Sequence, residues 1–206
     1  MKNSFFFLQF SLFCLAVMCP GRVWPQSSNA GFEVYTSCKV TDGPSVVDIA
    51  PLASGIKSRT VDTMNGPRQI PMMAGRRIMF AYPNKDFYAN VKVEILPEQN
   101  YAETRQYLID NFDHILASGG TERNYSLKPQ MNGLDVRGMD RTKIEGGVLG
   151  IYLVFDDANR TVSTIYFLNQ DADRRSFQTI EEYRKQRDHF LAGYTICAHP
   201  QIRSGK

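Results

Sequence analysis

Four cysteines, Cys14, Cys19, Cys38 and Cys197, are spread over 206 residues, and which of them remain after export decides how the chain can be tied together. The first two sit in an opening segment with the make-up of a leader. Lys2 supplies a positive start, and Phe5 to Cys19 form an apolar stretch interrupted only by Gln9 and Ser11. That stretch has the length of a signal-peptide core and falls short of the roughly 18 to 20 apolar residues that span a bilayer. Pro20 and Gly21 break it, and Ser28 and Ala30 offer small side chains where a signal peptidase needs them. Residues 1–30 are therefore read as a signal peptide cleaved near Ala30, in preference to a retained anchor. Lipid attachment is disfavoured, because neither Cys14 nor Cys19 follows a small residue.

Cleavage leaves Cys38 near the start and Cys197 near the end of residues 31–206, a length that fits one domain with a sizeable core. In an oxidising compartment two such cysteines most simply pair with each other. The rival readings are thinner. A zinc site needs three or four ligands, and Cys197 with His199 supplies an isolated C-x-H. A catalytic thiol needs a neighbouring histidine and a lowered pKa. The charge balance adds little, since the leader holds two of the 24 basic residues, leaving 22 against 21 acidic ones. Such a balance exerts no long-range pull on nucleic acid or anionic lipid, and no later segment is apolar for long enough to cross a membrane.

Periodicity then predicts the elements. Residues 31–53 read as a β-prone "FEVYTSCKV" followed by a turn at Thr41 to Pro44, and residues 56–82 as strands reversed at Asn65-Gly66 and at Gly75. "ANVKVEILP" is the clearest strand: Val91, Val93 and Ile95 alternate with Asn90, Lys92 and Glu94, which predicts one buried and one wet face. A helix follows, with Asn100 and Glu103 as a capping box and Leu108, Phe112, Ile115 and Leu116 on one side. Four strands are expected between Asn124 and Asn169, the third of them apolar on both faces (Leu149, Ile151 and Leu153 against Tyr152 and Val154). A second helix starts at Thr179 with a capping box to Glu182 and ends near Gly193, after which "YTIC" is expected to run back towards Cys38. The fold class is α+β, an antiparallel sheet with two main helices packed on it.

The search for chemistry finds no strong motif. His114 and His189 each follow an aspartate on an amphipathic helix, where a solvated histidine is the default, and His199 lies in the tail. "DADRRSFQTIEE" places Asp171, Asp173 and Glu182 at calcium-loop positions, but Arg175 stands where an oxygen ligand is required and Ser176 where a glycine is. "EGGVLG" lacks the spacing of a nucleotide fingerprint and leads into a strand. Asn124 and Asn159 head N-x-S/T triplets, read as turn residues. Arg76-Arg77, Arg137, Arg141 and Arg174-Arg175 are candidates for an anion patch but are scattered, so solvated surface is the preferred reading.

The segments "IMFAYPNKDFYANVKVEILPEQNYAETRQYLIDNF" and "MNGLDVRGMDRTKIEGGVLGIYLVFDDANRTVSTIYFLN" together resemble the PsbP-like superfamily of extracytoplasmic α/β domains. A strand ending in tyrosine-proline, a strand opening with asparagine-valine, a helix, an "NG" strand, paired strands and a final helix carry the likeness; a tryptophan that often follows the tyrosine-proline pair has no counterpart here. The resemblance implies a PsbP-like α/β sandwich that acts as a non-enzymatic accessory or binding module, with no catalytic, cofactor or metal residues to carry over.

The expectation is an exported protein, periplasmic or extracellular, with one domain over residues 31–206 stapled by Cys38 and Cys197. It needs no cofactor, binds an unknown protein, envelope component or small ligand, engages no nucleic acid and, after cleavage, has no membrane span. The alternative is an extracytoplasmic enzyme with a dispersed active site, to be sought among Asp135, Arg137, Asp140, Arg141 and Glu145. Intact-mass measurement of the exported protein should give an amino terminus near Gly31, and thiol titration under native conditions should find no reactive cysteine; two free thiols would remove the staple.

Overall fold

The computed structural model describes residues 31–52, 58–71, 74–82, 85–120, 123–144, 146–169 and 177–198. The predicted leader, the candidate calcium-loop residues Asp171, Asp173 and Arg175, and also Arg174, Glu145 and His199 lie outside the described residues. In chain order the elements are a one-turn helix α1 (Glu33–Thr36), β1 (Ser45–Pro51), β2 (Ser58–Thr63), β3 (Gly66–Pro71), β4 (Gly75–Tyr82) and β5 (Lys85–Ile95). A single 3-10 turn (Glu98–Asn100) leads into α2 (Tyr101–Ser118). Then come β6 (Arg123–Met131), β7 (Leu134–Arg141), β8 (Gly147–Asp156), β9 (Thr161–Asn169) and α3 (Ile180–Ala198).

Seven strands form one sheet in the order β1-β4-β5-β9-β8-β7-β6, and every pairing is antiparallel. Short loops dictate the hairpins, since an antiparallel neighbour is the one a tight turn can reach. Asn132 and Gly133 both adopt left-handed φ, 52° and 83°, as a two-residue hairpin turn between β6 and β7 requires. Helix α2 carries the chain from β5 to the far edge, and the β6–β9 meander returns until β9 pairs with β5.

The sheet is covered on one face by helices and on the other in part. On one face α1 and α3 pack onto Ile78, Phe80, Val91, Val136, Tyr152, Val154, Ile165 and Phe167. Phe190 sits at the centre of this layer, edge-on to Phe80 at 5.2 Å and to Phe167 at 5.6 Å between ring centroids. On the other face Leu108, Ile109 and Phe112 of α2, with Val61 and Ile70 of the separate β2-β3 hairpin, cover Met139, Leu153, Phe155 and Val162.

Several expectations are corrected. The β-prone start is α1, which places Phe32 and Tyr35 one turn apart and both inward. Gly75 opens β4 instead of making a reversal: a Cβ there would meet Leu52 and the Val93 carbonyl oxygen at 2.9 Å. The second face of β5 is not wet at Glu94, which is 1% exposed, because the β2-β3 hairpin brings Arg59 over it. A bulge at Leu149 shifts the register of β8 on β9, so Leu149 packs with Tyr152 and Val154 while Ile151 and Leu153 turn to α2. Asn100 makes no side-chain cap, whereas at α3 the box is formed, with Glu182 N–H donating to Thr179 Oγ1 at 3.1 Å and Gln178 N–H to Glu182.

The largest revision concerns the end of α3. The helix passes through Gly193 and continues to Ala198; the glycine there makes room for Val40, whose Cγ1 a Cβ would approach to 2.6 Å, and does not end the helix. Cys197 therefore reaches Cys38 from the last helical turn, and the two are joined with Cα atoms 5.4 Å apart. The bond closes a loop spanning 159 residues. Chain-entropy arguments put such a closure at roughly 5 kcal/mol as an upper value. Replacing both cysteines by alanine should lower the urea-unfolding free energy by about 2–5 kcal/mol with little loss of far-ultraviolet circular dichroism; an unchanged midpoint would show that the bond contributes no stability.

Candidate functional site

The strand period of two separates the four flagged polar residues that lie on β7, Asp135, Arg137, Asp140 and Arg141. Asp135 and Arg137 point to the α2 side and Asp140 to the α3 side, since Leu134 and Val136 belong to the α3 layer and Met139 to the α2 layer. On the α2 side Arg105 bridges Asp135 at 2.5 Å and Asp157 at 2.9 Å, its guanidinium lying over the Phe155 ring, and Tyr101 donates to the same Asp157. Arg137 adds a 3.8 Å approach to Asp135. This network clamps α2 to the sheet.

On the α3 side Asp140, 3% exposed, is the hub. The Tyr152 and Tyr183 hydroxyls each donate to its Oδ1 at 2.8 Å, and Arg187, 7% exposed, pairs with Oδ2. Glycines make the room. A Cβ at Gly138, directly opposite Tyr152 in the ladder, would collide with that ring, and one at Gly150, opposite Asp140, would strike the Tyr183 hydroxyl and lie 2.6 Å from Asp140 Oδ1. The Arg187 guanidinium also faces both tyrosine rings at 5.7 Å. Burial, reinforced by the Asp140 charge, raises the Tyr152 and Tyr183 phenols, so both stay protonated donors. Burial works against the Arg187 charge, but Tyr152, Asp140 and Asp188 outweigh it and the group is held cationic.

Beside this hub the sheet opens. The β7-β8 ladder ends at Asp140 opposite Gly150, and β8 continues back through Leu149 and Val148 to Gly147 on β9 alone. The gap is a pocket of about 240 Å³ lined by Met139, Asp140, Arg141, Gly146, Val148 and Leu149 among others. Its walls are apolar side chains and glycine-rich backbone, with the charged residues Asp140 and Arg141 at the β7 side. A second cavity, about 220 Å³, lies beneath the start of the domain, between Val34, Tyr35, Ile95, Asn159 and Thr161. There burial pushes the Tyr35 phenol up to about 12.

The remaining candidates are structural or separate. His189 Nε2 donates to the Thr41 carbonyl at 2.8 Å, and His114 is half-buried on α2. Arg76 is buried with its guanidinium 4.9 Å from the Phe32 ring centre, while its neighbour Arg77 is exposed on the opposite face. Sequence reading placed Asp140 among the polar residues but had no means of adding Tyr152, Tyr183 and Arg187. The i, i+4 spacing of Tyr183 and Arg187 on α3 is the one signal that they share a target. Comparison with protein-family profiles, with characterised proteins and with solved structures finds no match to the chain.

Removing the Asp140 charge by Asp140→Asn should destabilise the fold by about 3 kcal/mol, because Arg187 loses its buried partner and keeps only the half-exposed Asp188 at 3.0 Å; a loss below about 1 kcal/mol would match a solvent-screened pair instead. Burial also raises the Tyr194 phenol, so the tyrosines of the α3 layer favour the protonated form over an unfolded value near 10. Their contribution is complete below about pH 10 and is lost as pH climbs through the folded values. Phenolate absorbance should therefore appear in two stages, exposed tyrosines first and the buried set only together with unfolding.

Proposed function

We propose that the protein is an exported, non-enzymatic binding module of the cell envelope, built on a PsbP-like plan, and that the opening between β7 and β8 receives a small amide-bearing ligand. The observation that carries this reading is the engagement of Asp140. Asp140 accepts hydrogen bonds from Tyr152, Tyr183 and Arg187, so the buried carboxylate beside the pocket is engaged in seating α3. What the opening offers a visitor is mostly main chain and apolar surface, with Arg141 at its β7 side, which suits recognition of an amide with a small apolar body.

Location beyond the cytoplasm is supported by the Cys38–Cys197 bond. Among the described residues no helix is long and apolar enough to cross a membrane. The PsbP-like plan is supported by the order of elements: a helix after the strand that ends at Ile95, a four-strand meander and a closing helix.

The test is amide-resolved NMR of the disulfide-bonded mature chain titrated with N-acetyl-alanyl-alaninamide. Shifts should concentrate between Met139 and Ile151 and vanish in Val148→Trp, which fills the opening from a half-buried position. Perturbations elsewhere, or none, would overturn the assignment of this opening.

A further inference from the structure

A different part of the sheet carries unbalanced charge. On the face shared with α2, α2 and the hairpin cover the β7 and β8 portion and the start of β9, while Asn90, Lys92, Thr164 and Tyr166 remain only half-buried. The ladder aligns these residues in two rows. Arg77 of β4 lies opposite Lys92 of β5, which lies opposite Thr164 of β9; next to that row, Met79 lies opposite Asn90 and Asn90 opposite Tyr166. Arg77 and Met79 share this face because Ile78 and Phe80 between and after them belong to the α3 layer.

Like charges placed directly across a ladder repel, and Arg77 with Lys92 is such a pair. The compensating acid is Glu94, yet its Oε2 is already shared by Lys92 at 2.9 Å and Arg59 at 3.0 Å. Glu94 Oε1 and Arg59 Nε are buried with no hydrogen-bond partner. Asp48, the acid that the β1 register places across from Met79, forms no ion pair with Arg77 among the described residues. Arg59 and Lys92 thus share one buried carboxylate and Arg77 stands opposite Lys92, so that three cations against Glu94 and Asp48 leave an excess of one positive charge on a partly sheltered floor. Glu94 holds Arg59 and Lys92 in position, which lowers the ordering entropy that a ligand must overcome to engage them.

We propose that this half-covered floor binds a small soluble phosphate monoester, its anionic head drawn to Arg59, Arg77 and Lys92, with the Asn90 amide and the Tyr166 ring flanking the rest of the molecule. A phosphate carries about −1.5 to −2 charge at neutral pH and accepts several charge-assisted hydrogen bonds, which suits cations arrayed on neighbouring strands. The site stands apart from the β7-β8 opening and does not depend on the reading given to it. Sequence alone left Arg77 among scattered arginines; pairing with Lys92 and the fold-over of Arg59 assemble the group.

The experiment is calorimetric and NMR titration of the disulfide-bonded mature chain with phenyl phosphate at low ionic strength, with sulfate and benzoate in parallel. Saturable binding is expected, with shifts centred on Arg77, Lys92 and Tyr166 and stronger than for either control. Arg77→Gln changes an exposed side chain, so the melting temperature should hold while affinity falls about tenfold, the size of one charge-assisted contact; Lys92→Gln should act in the same direction. The proposal is overturned by the absence of saturable binding at millimolar phenyl phosphate, by equal binding of sulfate or benzoate, or by full affinity in the folded Arg77→Gln variant.

Discussion

A carboxylate taken out of water must be met by a cation and by hydrogen-bond donors, and in this molecule that demand sets the position of a whole helix. Asp140 points from β7 into the α3 layer at 3% exposure. Only α3 can answer it on that side, through Tyr183 and Arg187 one turn apart, with Tyr152 completing the shell from β8. A buried pair of this kind gives little net stability relative to an apolar packing, but it penalises every other register of α3, since a shift by one turn would leave the Asp140 charge unmet. Gly138 and Gly150 follow from the same demand, because two large rings and a guanidinium must fit flat against the sheet.

Once α3 is seated, the start of the domain is placed as well. Continuation of the helix through Gly193 carries Cys197 to Cys38, and α1 is drawn over the sheet, where Phe32 meets Arg76 and Tyr35 lies 6.4 Å from Tyr194. The two ends of the domain are thereby fixed on the same face. The opposite face is closed by shorter and more polar means: α2 rests on Leu108, Ile109 and Phe112 and is clamped by Arg105. That face is covered only in part, which is why charge can collect on it over β4, β5 and β9.

The two proposed sites follow from this asymmetry. Where β7 and β8 part company beside the seated helix, the sheet exposes main chain and apolar surface; where the hairpin stops short of β4, it exposes aligned cations. Neither place concentrates the ionisable groups of β7 into one cluster, because alternation along the strand sends Asp135 and Arg137 to one side and Asp140 to the other.

Much of the element order was legible from local pattern. Alternation marked β5, turn residues marked the β6–β9 meander, and capping residues marked the start of α3, since these signals depend on neighbours within a few residues. Two cysteines in the predicted mature chain were enough to anticipate their bond. The wet or buried state of Glu94, the inward turn of α1, the bulge at Leu149 and the helical course of Gly193 were decided only in three dimensions, because each depends on a residue far away in the chain: Arg59, Arg76, Phe167 and Val40. The same holds for both candidate sites, since a strand shows in its own sequence which residues share a face but not which helix, hairpin or opposing charge that face will meet.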